Sequence, residues 1–297
     1  MIPDRQTVII TAVSTPYGRE RAGWLLDSLR AFGGSLSKNP VWLFEADSRA
    51  ECHHLIQEGL TVIPLQVPET IKYALFSEKV YACAQAEAMA APEVGSLVWI
   101  DPGCLVVNPP LLYKSGSDFD VAFRPVHIQN VGLRVDQPLD AFWQGIYAEL
   151  GITDVFATVQ SFVDQRVLRA YYNSHAFAVN PALGILGRWL EHFQRLVGDA
   201  AFQRVACQDE PHQIFLFQAL LSALITKEVN PTRLRILPPE YNYPFNLQER
   251  VPPEHRARAL NDTVTFAYED RLLNPAKITD IVVEEPLRSW LAAHCTD

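Results

Sequence analysis

Residues 96–110 read SLVWIDPGCLVVNPP. An apolar run closes on one carboxylate, Asp101. Pro102 and Gly103 follow, and then a second apolar run begins. A short continuous apolar run bounded by turn residues predicts a strand buried on both faces. Three similar runs lie upstream: TVIITAV (7–13), VWLFEA (41–46) and TVIPLQV (61–67). Helical patterns separate them. RERAGWLLDSLRAFGG (19–34) places Trp24, Leu25, Leu29 and Phe32 at helical spacing and stops at Gly33-Gly34. SRAECHHLIQEG (48–59) predicts a helix from an N-cap at Ser48 to a stop at Gly59. LFSEKVYACAQAEAMAA (75–91) predicts a long Ala-rich helix. Strands alternating with helices predict an α/β fold, a mostly parallel sheet flanked by helices. Ligands of such sheets bind beyond the carboxyl ends of the strands. The loops to inspect are therefore TAVSTPYG after the first strand and DPGC after the fourth.

The second half alternates less regularly. Strands are expected at 118–126, 176–181, the start of 233–247 and within 262–270. Helices are expected at 138–151, 181–198 and 209–225. Neither an internal repeat nor a low-complexity linker interrupts the 297 residues.

Charge and composition exclude several classes. With 25 Lys and Arg against 34 Asp and Glu, the formal charge is −9, and no basic stripe suits a nucleic acid. The longest apolar stretch, IFLFQALLSALI (214–225), is too short to span a bilayer and predicts a buried helix. The start, MIPDRQTVIITAV, lacks the pattern of a signal peptide. Five widely spaced cysteines without a CxxC predict reduced thiols and a cytoplasmic protein.

Five segments offer polar groups, and each has a plain structural explanation beside the functional one. In TAVSTPYGRERAG, the hydroxyls of Thr11, Ser14, Thr15 and Tyr17 suit a base and ribose, and Arg19 or Arg21 a phosphate; a simple connecting loop also fits. Lys79 suits a phosphate, or faces water as most lysines do. Asp101-Pro102-Gly103 suits either a ligand contact or a turn. Asn173, Ser174 and His175 suit sugar hydroxyls, or a turn before a core strand. Asp209, Glu210 and His212 suit a substrate or metal contact, or merely the start of a helix capped by Asp209.

The order of these segments is more specific than any one of them. TAVSTPYGRERAGWLLDSLRAFGG, SEKVYA, LVWIDPGCLVVNPP, YYNSHAFAVNP, QDEPHQIFLFQAL and ILPPEYNYP together resemble the nucleotide-diphospho-sugar transferases of the GT-A fold. The glycogenin-like and galactosyltransferase-like group is the nearest in pattern, over about residues 7 to 247. The resemblance implies one GT-A-like domain over 1–297, with a nucleotide-binding half at about 1–110 and a sugar and acceptor half at about 111–297. It implies a UDP- or GDP-linked sugar as partner. Thr11, Ala12, Ser14 and Tyr17 would face the nucleotide, and Lys79 its phosphates. Asp101 would be the first carboxylate of an Asp-x-Asp motif, holding the nucleotide and a divalent cation, Mn2+ or Mg2+. Asn173, Ser174 and His175 would line the sugar site, with His175 where the family has Gly. Asp209 would be the catalytic carboxylate beside the transferred sugar.

The sequence departs from that pattern at two metal positions. Gly103 stands where the second Asp is expected, and TFAYEDRLLNP lacks the late His. Three functions remain open. The first is a glycosyltransferase-like protein with an incomplete metal site, whose leaving diphosphate would be stabilised by Lys79, Arg19, Arg21 or Arg124. The second is a non-catalytic binding or scaffold protein on the same fold. The third is a nucleotidyltransferase, of which STPYGRERAG carries a faint echo.

Overall fold

A computed structural model describes residues 5–114, 118–154 and 157–295. The first strand, β1 (Gln6–Val13), alternates its side chains between two cores. Val8, Ile10 and Ala12 enter one apolar cluster, and Ile9 and Val13 enter another. This double burial is why the strand reads as a continuous apolar run. α1 (Pro16–Phe32) starts three residues earlier than the periodicity suggests. Thr15 caps it by accepting from the Gly18 N–H, and Pro16 occupies the first turn. Its Ala22, Leu25, Leu26 and Leu29 cover the Ile9/Val13 face.

β2 (Val41–Glu45) and β3 (Leu60–Pro64) continue the sheet. The helix expected between them is absent. Two single 3-10 turns, Ser48–Ala50 and Cys52–His54, stand there instead, with Glu51 left-handed between them at φ 53°. Asp47 caps the first turn, and Glu45 accepts from the Cys52 N–H. These local side-chain bonds hold the backbone out of a continuous helix.

α2 (Ser77–Met89) packs on the opposite face of the sheet and leads to β4 (Val94–Ile100), which ends at Asp101. A short strand, β5 (Cys104–Val106), follows the turn, and then β6 (Val121–Pro125). α3 (Ala141–Leu150) and the hairpin β7 (Thr158–Gln160) and β8 (Val167–Arg169) precede β9 (Tyr172–Val179). β9 starts earlier than expected, so Asn173, Ser174 and His175 lie within a strand and not before it.

α4 (Ile185–Gly198), α5 (Ala200–Ala206) and α6 (Glu210–Glu228) follow. Pro181 opens a separate 3-10 turn, not α4. α6 is buried continuously from Leu216 to Ile225, as its apolar run predicts. β10 (Leu234–Ile236), β11 (Tyr243–Pro244), β12 (Thr265–Ala267) and α7 (Leu287–His294) complete the chain.

The seven-stranded sheet has the order β10-β6-β9-β4-β1-β2-β3. β1, β2, β3 and β4 pair in parallel, as do β6 and β10, while β9 runs antiparallel to both β4 and β6. The mostly parallel α/β sheet expected from the alternation is therefore present. β11, β12 and β5 form a smaller sheet over a third apolar cluster. Among the described residues, no helix is long and apolar enough to cross a membrane. All five cysteines are free and buried.

The topology places the site. After β1 the chain moves to β2 on one side, whereas β4 lies on the other. The connections leaving the carboxyl ends of β1 and β4 diverge, and a crevice opens between them.

Candidate functional site

Two cavities meet in that crevice. The first, about 380 Å³, lies between the loop after β1, the start of α2 and the turn after β4. The second, about 340 Å³, lies between β9, α6 and the segment after β6. Phe76, Lys79, Asp101, His175 and Glu269 line both.

The floor is an ion pair. Lys79 Nζ lies 2.8 Å from Asp101 Oδ2, with their side chains only 3% and 13% exposed. Trp99 Nε1 donates to Asp101 Oδ1 at 2.9 Å, and Lys79 also donates to the Ser174 carbonyl at 3.3 Å. The ammonium sits 4.9–5.3 Å from the ring centroids of Phe217, Phe76 and Trp99, so π-faces stabilise it where water does not. The surface lysine weighed from sequence is thus a buried one. Two features aim it inward: α2 begins after Phe76 in the left-handed region (φ 61°), and its first turns are buried.

Asp101 is a turn residue as well. Its carbonyl accepts from the Cys104 N–H at 3.0 Å, closing the Asp-Pro-Gly turn. Turn and cavity wall coincide, since Asp101 lines both cavities.

The cleft is crossed by a second contact. His175 Nε2 lies 3.1 Å from Glu269 Oε1. This contact holds the Glu269 carboxyl below its usual range. Glu269 follows β12 in a left-handed conformation (φ 48°), a costly geometry for a residue with a side chain. Arg21 of α1 fixes it by donating to its carbonyl, and reaches Asp270 at 3.1 Å. Arg21 also stacks 4.3 Å over the Tyr17 ring. Glu78 lines the first cavity, and burial pushes its carboxyl upward.

The expected site residues divide clearly. Ala12, Ser14 and Tyr17 line the first cavity, Asn173 and Ser174 the second, and Lys79, Asp101 and His175 both. Thr11 lines neither: strand alternation turns it away from Ala12, and it is fully buried. Asp209 lines neither. It caps α6, accepting from the His212 N–H at 3.0 Å, as the plain helix-start explanation has it. That bond holds its carboxyl below the usual range. Asn173 and Ser174 also brace the site: Asn173 accepts from Asn242, and Ser174 donates to Gln218.

Of the cations considered for a diphosphate, Arg124 is buried, donates to the carbonyls of Pro239 and Tyr241, and lines neither cavity. Arg19 pairs with Glu51 outside the cleft. Glu269, Phe76 and His127 are cleft residues that sequence reasoning missed. Glu269 stands in the late segment searched for a histidine; a search there for any metal-competent side chain would have found it.

These donors do not fit a divalent cation. Both Asp101 oxygens are engaged, one by an ammonium and one by an indole N–H. Position 103 offers no side chain, and Glu269 is tied to His175. Among the described residues no cluster of three or more His, Cys, Asp or Glu is placed to hold a metal.

No family model matches the chain, and no curated protein matches it. Solved structures do match. A galactosyltransferase, LgtC, in complex with donor and acceptor sugar analogues superposes with a TM-score of 0.50 at 14% identity, covering 98% of this chain and 96% of that one. An active-site mutant of the same galactosyltransferase gives a TM-score of 0.51 at 13% identity over 98% and 96%. WbbM, a bifunctional glycosyltransferase, gives a TM-score of 0.51 at 12% identity; the match covers 99% of this chain and 52% of WbbM. This chain thus spans about half the length of WbbM. At such identities the likeness shows the fold: the chain has the GT-A topology.

Proposed function

We propose that this protein is a GT-A-fold, glycosyltransferase-like protein that binds a nucleotide-linked sugar without a divalent metal. UDP- and GDP-linked sugars are the candidate ligands. The observation that carries this is the Lys79–Asp101 pair at the floor shared by both cavities. The nucleoside would lie in the first cavity beside Ala12, Ser14 and Tyr17. The sugar would lie in the second beside Asn173, Ser174 and His175. The diphosphate joining them would cross Lys79, a fixed positive charge in a site of low dielectric.

The electrostatics also set the strength of this binding. Glu78, Asp101, Glu269 and Asp270 line the first cavity against Arg21 and Lys79, and both cations already hold carboxylates. A diphosphate must compete with Asp101 for Lys79, so the net gain is small and the affinity modest. We further propose a single domain in a cytoplasmic setting, which the free cysteines support.

Binding without sugar transfer is the alternative with a specific observation in its favour. Asp209 lies outside both cavities, and the α6 wall of the second is Ile214, Phe215, Phe217 and Gln218. No carboxylate from α6 faces the place proposed for the sugar. A thermal-shift screen of UDP, GDP and their hexose conjugates, run in EDTA and in Mn2+, tests the proposal. A rise in melting temperature that EDTA leaves intact is expected. No rise with any of them, or a rise only with Mn2+, would refute it. Release of free hexose or a glycoside product in the same mixtures would separate a transferase from a binding protein.

A further inference from the structure

We infer that His127 reads the hydroxyls of an uncharged pyranose in the second cavity, and that this residue selects neutral sugars over acidic ones. The inference rests on the binding proposed above and names the ligand's sugar class.

His127 follows β6, is 5% exposed and lines only the second cavity. Neither of its ring nitrogens has a hydrogen-bond partner. Two unmet polar atoms on one buried ring are costly, and folded proteins rarely keep such a cost without a use. Burial, with Arg124 and His175 nearby, drives the imidazole well below its usual pKa. The ring is therefore neutral, with one N–H donor and one bare acceptor. It is satisfied by one group that accepts and one that donates, and adjacent sugar hydroxyls supply both.

The surroundings fit the rest of a sugar ring. Phe76, Phe215 and Phe217 give the cavity aromatic walls for the apolar face of a pyranose. Asn246 adds a carbonyl oxygen that also lacks a partner. The charged lining residues, histidines aside, are Lys79, Asp101 and Glu269, and Lys79 is held by Asp101. A sugar carboxylate would meet Glu269 with no cation left to receive it.

Access runs past His175, whose ring lies nearly parallel to that of His127 at 6.2 Å between centroids. With 27% of its side chain exposed, His175 forms the solvent side of the pair.

The experiment is calorimetry together with 15N-detected NMR of the histidine rings. The calorimetric probes are UDP, UDP-glucose, UDP-galactose and UDP-glucuronic acid; methyl glucoside and methyl galactoside are added separately in the NMR. The variants are His127→Phe and His127→Gln, the second keeping a donor and an acceptor, and both are checked for an unchanged circular dichroism spectrum. The expected results are a tighter Kd for at least one neutral UDP-hexose than for UDP, loss of that gain in His127→Phe, partial recovery in His127→Gln, and weaker binding of UDP-glucuronic acid. A gain that survives in His127→Phe, or tighter binding of UDP-glucuronic acid, would overturn the inference and leave the nucleotide-sugar proposal standing. No nucleotide binding with a His127 ring shift on adding a methyl hexoside would support the inference and refute that proposal. No nucleotide binding and no ring shift would overturn both.

Discussion

At the scale of single residues, the cleft is built from charges that hold one another. Lys79 and Asp101 are buried together, and each is costly alone. Removing one partner leaves the other unpaired in low dielectric, which costs about 3–5 kcal/mol. Lys79→Met and Asp101→Leu should each lose about that much in urea unfolding, and the double variant should lose clearly less than their sum. Additive losses would show that the pair is not coupled. His127 supplies a second residue-level prediction. Its folded pKa lies well below the ordinary 6.5, so between the two values the unfolded chain binds a proton that the folded chain does not. Stability therefore falls as pH drops below about 6.5, by up to about 1.4 kcal/mol per pH unit from this group. Urea titrations between pH 7.5 and 5 should show a shallower acid loss in His127→Gln than in the parent. The sequence does not mark His127, because nothing in PVHIQN distinguishes a buried ring from a surface one. Asp101 is legible, since an apolar run ending in Asp-Pro-Gly announces both strand and turn.

At the scale of elements, strands are easier to find than their connections. β1, β2 and β4 are buried on both faces, and their runs show it, whereas β3 is an edge strand with only Ile63 buried. The segment 48–59 misleads because its cap-like residues resemble the two ends of one helix. Instead, Asp47 and Glu45, just upstream, accept from the backbone N–H groups of Arg49 and Cys52 and fix two separate turns. The start of β9 is hidden in the sequence, because Asn173, Ser174 and His175 look like a turn; their polar groups are satisfied by Asn242, Gln218 and Glu269, which are distant in sequence. Gly34 illustrates a signal of the other kind. It follows α1 at φ +56°, and a side chain there would meet Pro109 Cγ at 2.7 Å from its Cβ. Gly34→Ala should destabilise by about 1–3 kcal/mol through both strain and overpacking. An unchanged urea midpoint would show that the α1 stop tolerates a side chain.

At the scale of the whole molecule, the sheet order explains why one cleft joins residues from across the chain. β1 and β4 are neighbours whose connections diverge, and β9 enters antiparallel beside β4, carrying His175 to Asp101: the Asp101 N–H donates to the His175 carbonyl at 2.8 Å. Segment order carries the fold in the sequence, whereas the partnering of charges depends on distances that no linear pattern encodes. The most direct test of metal-free nucleotide-sugar binding is calorimetric titration of UDP-glucose, UDP-galactose and a GDP-hexose in EDTA, for the parent protein and for Lys79→Met. The expected result is saturable binding of at least one donor, unchanged on replacing EDTA with Mn2+ and weakened tenfold or more in the folded Lys79→Met variant. Binding that appears only with Mn2+, or that Lys79→Met leaves intact, would contradict it.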